Sequence, residues 1–145
     1  MNTKETIVRF MLLMYPGFDK PIEEANVPVE LFAEMDKLNK RMVDAGVMLA
    51  GDGLHPSKEG ARVSYRNKDK KPVVTDGPFT ESKEVLGGYW LIEAASLEEA
   101  IDWASQVPVI GSEMIEVRRV YDLSDFPQEI QDAVPFEKSV VDATS

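Results

Sequence analysis

The chain contains no cysteine and only one histidine, His55, among its 145 residues. The lack of cysteine excludes disulfides, thiol nucleophiles and thiolate metal sites. It also fits a cytoplasmic location, where thiols are kept reduced and disulfides are rare. A lone histidine cannot supply the paired imidazoles of common transition-metal sites. The sequence therefore predicts no metal site and no cofactor.

Basic residues are scarce: 16 stand against 26 acidic ones, for a net charge of −10. Lys68, Lys70 and Lys71 come nearest to a cluster, but Asp69 interrupts them. Nucleic-acid binding needs a clustered basic surface to neutralise phosphates. We therefore expect no nucleic-acid partner.

Long apolar runs are also missing. The first run, residues 7–15, is short, is interrupted by Arg9 and has no small-residue cleavage site after it. It suits neither a signal peptide nor a membrane span. Because 43% of residues are hydrophobic and 29% are charged, the sequence predicts one soluble domain with a real core.

Apolar periodicity predicts the order β, α, β, β-hairpin, β, α, β. The strands are expected at residues 7–15, 47–50, 61–66, 72–76, 86–94 and 114–121, with Gly51-Asp52-Gly53 breaking the second. The first helix runs from Pro28 to Gly46 with Asn26 as its cap, and the second begins at a Ser96–Glu99 capping box and stops near Val107. This order is the split βαβ pattern of a ferredoxin-like α+β sandwich with an inserted β-hairpin.

The predicted strands at 7–15 and 86–94 are apolar on both sides. If both helices cover one sheet face, the other face also needs a cover, because a soluble monomer does not expose a large apolar surface. A second copy of the chain is the simplest cover, so we expect a homodimer. The chain then divides into an α+β domain, residues 1–121, and an acidic C-terminal arm, residues 122–145, with a short helix around 128–134.

One segment resembles a known family. Asp76-Gly77-Pro78-Phe79, followed by Thr80-Glu81-Ser82-Lys83-Glu84 and Leu86-Gly87-Gly88-Tyr89-Trp90, is similar to the DGPF branch of the YCII-related family. Residues 45–54 with Pro56, residues 96–100 and residues 116–118 extend the resemblance over about 7–121. It implies a dimeric α+β barrel, in which two ferredoxin-like units face each other through their sheets. It implies little about function.

The wider family carries a histidine near the start of the first helix, which with an aspartate suggested enzymatic activity. This chain has Val29, Glu30 and Leu31 at that place, and its histidine, His55, lies in a predicted loop. The resemblance therefore does not carry a histidine–aspartate pair over to this sequence.

Two residues are candidates for catalysis. Asp76 stands where a strand ends, a position that aims a side chain while leaving it reachable. A poorly solvated site beside Phe79 would suit it to acid–base work; alternatively, it accepts hydrogen bonds from the amides of its own turn. His55 could act as a base, or it could be polar surface ahead of Pro56.

Further residues are candidates for binding a ligand. Arg9 and Arg119 lie on apolar strands and must find a carboxylate such as Glu93, an anionic ligand or solvent. Tyr15 and Phe79 are aromatic residues that could line a pocket near Asp76 or pack in the core. The predicted binding set is therefore Arg9, Tyr15, Asp76, Phe79 and Arg119.

Two functional classes fit these observations. In the first, the protein is a small-molecule-binding or regulatory module that acts as a homodimer. In the second, it is a cofactor-free enzyme that uses Asp76 with Tyr15, His55 or Arg119 for proton transfer on a small organic acid or phenol. No complete set of nucleophile, base and orienting group can be assembled, which favours the binding module.

Overall fold

The computed structural model describes residues 7–66, 68–80 and 84–136. Glu81, Ser82 and Lys83 of the family-like segment lie outside the described residues, as does the end of the predicted C-terminal arm. The elements, in chain order, are β1 (Val8–Tyr15), α1 (Val29–Asp44), β2 (Met48–Gly53), β3 (Ala61–Ser64), β4 (Val73–Asp76), β5 (Gly88–Ala94), α2 (Leu97–Ala104), β6 (Met114–Arg119) and α3 (Gln128–Ala133).

Four strands form one antiparallel sheet in the order β2-β5-β1-β6. Strands β3 and β4 form a separate hairpin and, among the described residues, pair with no other strand. This antiparallel α+β arrangement confirms the predicted class and element order, and it is compatible with a ferredoxin-like fold.

The core lies between the sheet and the two longer helices. Alternate residues of β1 and β5 point toward the helices, because side chains alternate across a strand. Leu12, Ile92, Leu38 and Met42 are fully buried there, and Ala100 brings α2 onto the same cluster. Burying a side chain of this size stabilises the fold by about 1.5 to 3 kcal/mol. Each helix therefore packs on the same face of the sheet through a single apolar stripe.

The opposite face of the sheet carries no helix among the described elements, and we call it the open face. In the strand register, Met11 lies opposite Leu91, Leu13 opposite Tyr89, and Arg9 opposite Glu93. These side chains are half-buried rather than buried. The open face therefore has an apolar centre with charged residues at its margin.

The start of α1 differs from the prediction. The residue that precedes the helix is Pro28, and no side chain caps it, so the prediction of an Asn26 cap was wrong. Asn26 instead has a φ of 54°, which turns the chain ahead of the helix. The predicted end is confirmed, since Gly46 follows the helix with a φ of 73°, a conformation that favours glycine.

Strand β2 continues through Gly51-Asp52-Gly53, which the sequence predicted would break it. A Cβ on Gly51 would lie 2.7 Å from Met48 Cε and 3.0 Å from Trp90 Cδ1. The glycine therefore permits close packing inside the strand. The pairing of β2 with β5 shifts register between Met48 and Ala50, which places a bulge on this edge strand.

Helix α2 begins as predicted: the Ser96 side chain accepts a hydrogen bond from Glu99 N at 3.1 Å. Glu99 returns a bond to the amide of Ala95, at 2.9 Å, rather than to that of Ser96. The helix ends at Ala104, earlier than the predicted stop near Val107. The predicted short helix near the C terminus is also present, as α3.

Candidate functional site

A cavity of about 800 Å³ lies at the end of the sheet where β1 and β2 stop and β5 starts. Helix α1 and the loop of residues 16–28 enclose it from the helix side. Its apolar walls include Met14, Phe18, Leu31, Met35, Leu86 and Trp90. Its size is that of pockets that hold small organic molecules.

Two hydrogen-bonded pairs fix polar groups at this end of the sheet, one on the cavity side and one on the open face. Trp90 donates its indole N–H to Asn39 Oδ1 at 2.8 Å, and Tyr89 donates its hydroxyl to Asp52 Oδ2 at 3.1 Å. The hydrogen bond to Asp52, together with the charge of that carboxylate, raises the pKa of Tyr89. Tyr89 therefore stays protonated near neutral pH and acts as a hydrogen-bond donor.

His55 also borders the cavity. Its Nδ1 lies 2.8 Å from Glu59 Oε2, and its side chain is 84% exposed. A carboxylate on one ring nitrogen orients an imidazole. The spacing of four residues between His55 and Glu59 is a signal in the sequence that could have predicted this pair.

A buried serine joins three separated segments next to the cavity. Ser57 is only 7% exposed. Its amide donates to Asp19 Oδ1 at 2.7 Å, and its hydroxyl donates to the other carboxylate oxygen of Asp19. The same hydroxyl accepts the amide N–H of Phe79 at 3.0 Å. Because a hydroxyl can donate and accept at once, Ser57 ties the 16–28 loop to the segment that follows β4.

Gly77 packs against the backbone of Ser57, and it can do so because it has no side chain. We call this contact between the hairpin and the body of the protein the joint. Its amide donates to Gly60 O at 3.0 Å. A Cβ on Gly77 would stand 1.7 Å from Ser57 O and 2.4 Å from Ser57 C, so no larger residue fits without moving backbone. Beside it, the Arg62 guanidinium carbon lies 3.7 Å from the centre of the Phe79 ring, a cation–π contact. The segment from Gly77 to Phe79 therefore anchors the β3–β4 hairpin to the body.

Asp76 itself is exposed at the end of β4, opposite Ala61. Among the described residues, no hydrogen bond reaches its carboxylate, including the turn bonds that the sequence analysis considered. Neither Asp76 nor Phe79 lines the cavity. Their connection to it runs through Ser57 and Asp19.

The other predicted binding residues lie elsewhere. Arg9 is on the open face, where it donates to the backbone oxygen of Tyr121 at 2.9 Å. Arg119 donates to Asp125 Oδ1 at 3.1 Å, beyond the end of β6. Tyr15 lies at the end of β1, opposite Met114. The structure does not bring Arg9, Tyr15, Asp76, Phe79 and Arg119 together around one cavity.

Three residues near the cavity were not among the predicted candidates. Asn39 follows Met35 by four positions, so a polar residue interrupts the apolar stripe of α1, and that spacing could have singled it out. Asp19 lies in the long 16–28 loop, which is itself a recognisable functional signal. For the buried role of Ser57 we find no signal in the sequence.

Glu113, near the cavity and just before β6, holds a loop together with its carboxylate. Its Oε2 accepts the amide of Ile110 at 2.6 Å, and its Oε1 accepts those of Gly111 at 2.7 Å and Ser112 at 2.9 Å. Partial burial on its own would raise the pKa of Glu113, but these amides together outweigh it and lower the pKa. The charged form is therefore the one that stabilises this loop.

Within residues 7–66, 68–80 and 84–136, no three histidine, aspartate or glutamate side chains come close enough to bind one metal ion. In that same part of the chain, no helix has both the length and the apolar character needed to cross a bilayer.

Comparison with known proteins agrees with this fold. An uncharacterized protein of Rhizobium meliloti (strain 1021) is 32% identical over 98 residues, which cover 65% of this chain and 77% of that protein. Residues 8–124, from the start of β1 to just beyond β6, match the YCII-related domain. The chain belongs to the YCII-related family.

Proposed function

We propose that the protein is a small-molecule-binding or regulatory module that acts as a homodimer and uses the cavity described above as its ligand site. The observation that carries this proposal is the cavity itself: about 800 Å³, with apolar walls and a few fixed polar groups. Such a combination is typical of sites for small organic ligands. Asn39 is already bonded to Trp90, so these groups are positioned before a ligand arrives.

The segment Asp76-Gly77-Pro78-Phe79 supports assignment to the DGPF branch of the family. Its proposed role is to hold the cavity wall, because Phe79 N binds Ser57 and Ser57 binds Asp19, which lines the cavity. The predicted binding set of Arg9, Tyr15, Asp76, Phe79 and Arg119 stays a prediction. A cytoplasmic location and a division into a domain at 1–121 and an arm at 122–145 belong to the same proposal.

The homodimer is proposed to form through the open face, giving a dimeric α+β barrel. Met11, Leu13 and Leu91 form the apolar centre of that face. Two such faces packed together would remove their apolar area from water at about 25 cal/mol per Å². The charged residues at the margin, among them Arg9, Glu93 and Arg118, would form the polar rim that interfaces commonly have.

Methionine methyl groups can test both parts of this proposal in one sample. Met14 and Met35 line the cavity, whereas Met11 and Met114 lie on the open face. With ¹³C-methyl methionine, NMR spectra are recorded during dilution and during titration with small aromatic acids, amines and phenols. Dilution should shift Met11 and Met114, and a ligand should shift Met14 and Met35.

The four methyl groups serve as controls for one another. A ligand that shifts Met11 and Met114 but leaves Met14 and Met35 unchanged would contradict the cavity as the binding site. Spectra that do not change with dilution, with light scattering showing only monomer at micromolar concentration, would contradict the homodimer. Mass spectrometry of small molecules extracted from the purified protein would identify a ligand that co-purifies.

The pair of His55 and Glu59 keeps a second function open, that of a cofactor-free acid–base enzyme acting on a small organic acid or phenol. An oriented imidazole at the mouth of a pocket suits the role of general base. His55→Gln should abolish turnover of any substrate found in the titration while leaving Met14 and Met35 shifts intact. Unchanged turnover would remove His55 from this role.

A further inference from the structure

We propose that the β3–β4 hairpin of one copy packs against the acidic segment of residues 122–136 in the second copy of the homodimer. We call this contact the clasp. This inference rests on the homodimer proposed above. It assigns a partner to strands β3 and β4, which lie outside the main sheet.

Few side-chain contacts hold the hairpin in place among the residues that the structure describes. Every residue of β3 and β4 except Ser64 is exposed, and Val63, Val74 and Tyr65 are 56%, 63% and 66% exposed. An isolated two-stranded hairpin is marginally stable in water. Val63 and Val74 lie opposite each other on one face of this hairpin, and an exposed apolar face indicates that another surface packs against it.

The charge of the hairpin is opposite to that of the rest of the chain. Residues 61–76 contain five basic residues, Arg62, Arg66, Lys68, Lys70 and Lys71, and two acidic ones, Asp69 and Asp76. The hairpin therefore carries +3, and since the whole chain carries −10, the remainder carries −13. A remainder of that charge repels polyphosphates, which favours an acidic protein surface over nucleic acid as the partner.

Residues 122–136 have the complementary character. They contain four acidic residues and no basic ones: Asp122, Asp125, Glu129 and Asp132. Two large apolar side chains are also exposed there, Ile130 at 45% and Phe136 at 82%. The segment can therefore meet both the charges and the apolar residues of the hairpin.

The hairpin and the acidic segment lie at diagonally opposite corners of the main sheet. The hairpin follows β2, an edge strand, at the sheet end where β1 stops and β5 starts, as the bond from Gly87 N to Met14 O shows. The acidic segment follows β6, the other edge strand, at the end where β1 starts, as the bond from Val120 N to Arg9 O shows. At about 3.4 Å per residue and 4.8 Å per strand, these corners are roughly 28 Å apart.

That separation argues against a contact within one chain and suits a contact between two chains. If two open faces pack together with their strands nearly orthogonal, the twofold axis runs near one of the two diagonals of the sheet, and the clasp requires the diagonal that does not join these two corners. This rotation exchanges the two corners, so each hairpin comes over the acidic segment of its partner. The same contact then forms twice, as an isologous dimer requires.

Carbodiimide cross-linking of the full chain tests the clasp. Equal amounts of ¹⁴N- and ¹⁵N-labelled protein are mixed, cross-linked at low salt and digested, so that mixed-isotope peptides identify links between chains. We expect mixed-isotope links from Lys68, Lys70 or Lys71 to acidic residues of the 122–136 segment. Links from these lysines to that segment only within one chain would overturn the clasp.

A matched pair of charge reversals provides a second readout. Lys68→Glu with Lys70→Glu should raise the dimer Kd about tenfold, since each reversal removes an ion pair of modest strength in both halves of the dimer. Lys37→Glu with Lys40→Glu, on the exposed side of α1, makes the same change in charge and should leave the dimer Kd within about twofold.

The outcomes separate the clasp from the dimer itself. A dimer whose Kd is the same in both double variants contradicts the clasp and leaves the homodimer intact. A protein that is monomeric before any substitution contradicts the homodimer and the clasp together. Binding of duplex DNA that is lost in the Lys68→Glu/Lys70→Glu variant would assign the hairpin to nucleic acid and overturn the clasp.

Discussion

The main sheet and the β3–β4 hairpin are built from similar strand-forming residues but are held in different ways. In β5 every second residue is buried, whereas in β3 and β4 no residue is buried. The sheet is stabilised by side chains packed under two helices. The hairpin is attached by backbone contacts at Gly77 and by the bonds of Ser57. A run of β-branched residues therefore predicts that a strand forms. It does not predict which surface that strand packs against.

The largest expected effect tests the sheet against the hairpin directly. Leu12→Ala should lower the free energy of unfolding by about 2 to 5 kcal/mol, because Leu12 is fully buried and the substitution leaves a cavity. Val74→Ala, at an exposed position of the hairpin, should change it by less than about 0.5 kcal/mol in the monomer. Urea titration of both variants measures the difference, and equal losses would show that burial does not distinguish the sheet from the hairpin.

A smaller effect is expected at the joint between the two regions. Gly77→Ala should cost about 3 kcal/mol, since its Cβ would overlap the backbone of Ser57. Gly60→Ala is the matched control at the base of the same hairpin, because its Cβ would meet Ser57 O at an ordinary 3.6 Å. Hydrogen exchange should show the hairpin amides losing protection in Gly77→Ala only. Wild-type protection in both variants would contradict the proposed joint.

The smallest effect concerns the loop that leads into the edge strand β6. Glu113→Gln should lower the free energy of unfolding at pH 7 by about 1 kcal/mol, because a neutral amide replaces a carboxylate that accepts three backbone amides. Glu24→Gln, at an exposed position, is the control.

The pH dependence of this variant sharpens the prediction. The pKa of Glu113 is lower in the folded protein than its ordinary value of 4.5. The stabilisation that the charged Glu113 carboxylate gives the folded state is therefore complete above about pH 4.5. It is lost as the pH falls through the pKa of Glu113 in the folded protein. Thermal melts of wild type and Glu113→Gln should differ at pH 7 and converge in more acidic buffer. A difference that persists at low pH would show that charge is not the cause.

The fold could be predicted from the sequence in those elements whose buried side produces a regular spacing of apolar residues. The apolar runs of β1 and β5, the stripe of α1 around Leu38 and the capping serine of α2 each had one reasonable interpretation. The Gly51–Gly53 segment had two, because a glycine can break a strand or allow a neighbour to approach. The pairing of this segment with β5, a distant part of the chain, decides for the close approach.

The candidate site was less predictable, because it depends on contacts between distant segments. Asp19 and Ser57 are 38 residues apart, and Trp90 and Asn39 are 51 apart. Arg9 shows the same limit: it lies opposite Glu93 as alternation allows, but its guanidinium binds the Tyr121 backbone. Residue type and spacing could not predict these pairings. The pair of His55 and Glu59 is four residues apart and could have been predicted.

The bulge in β2 bears on the solubility of the protein at high concentration. An open sheet ends in two strands with unpaired backbone groups, and such edges can recruit further strands into fibres. In β2 the register shift beside Leu49 interrupts the regular row of donors and acceptors. In β6 the exposed Arg118 and Arg119 place charge along the other edge. Copies of this chain are thereby discouraged from growing edge to edge into an extended sheet.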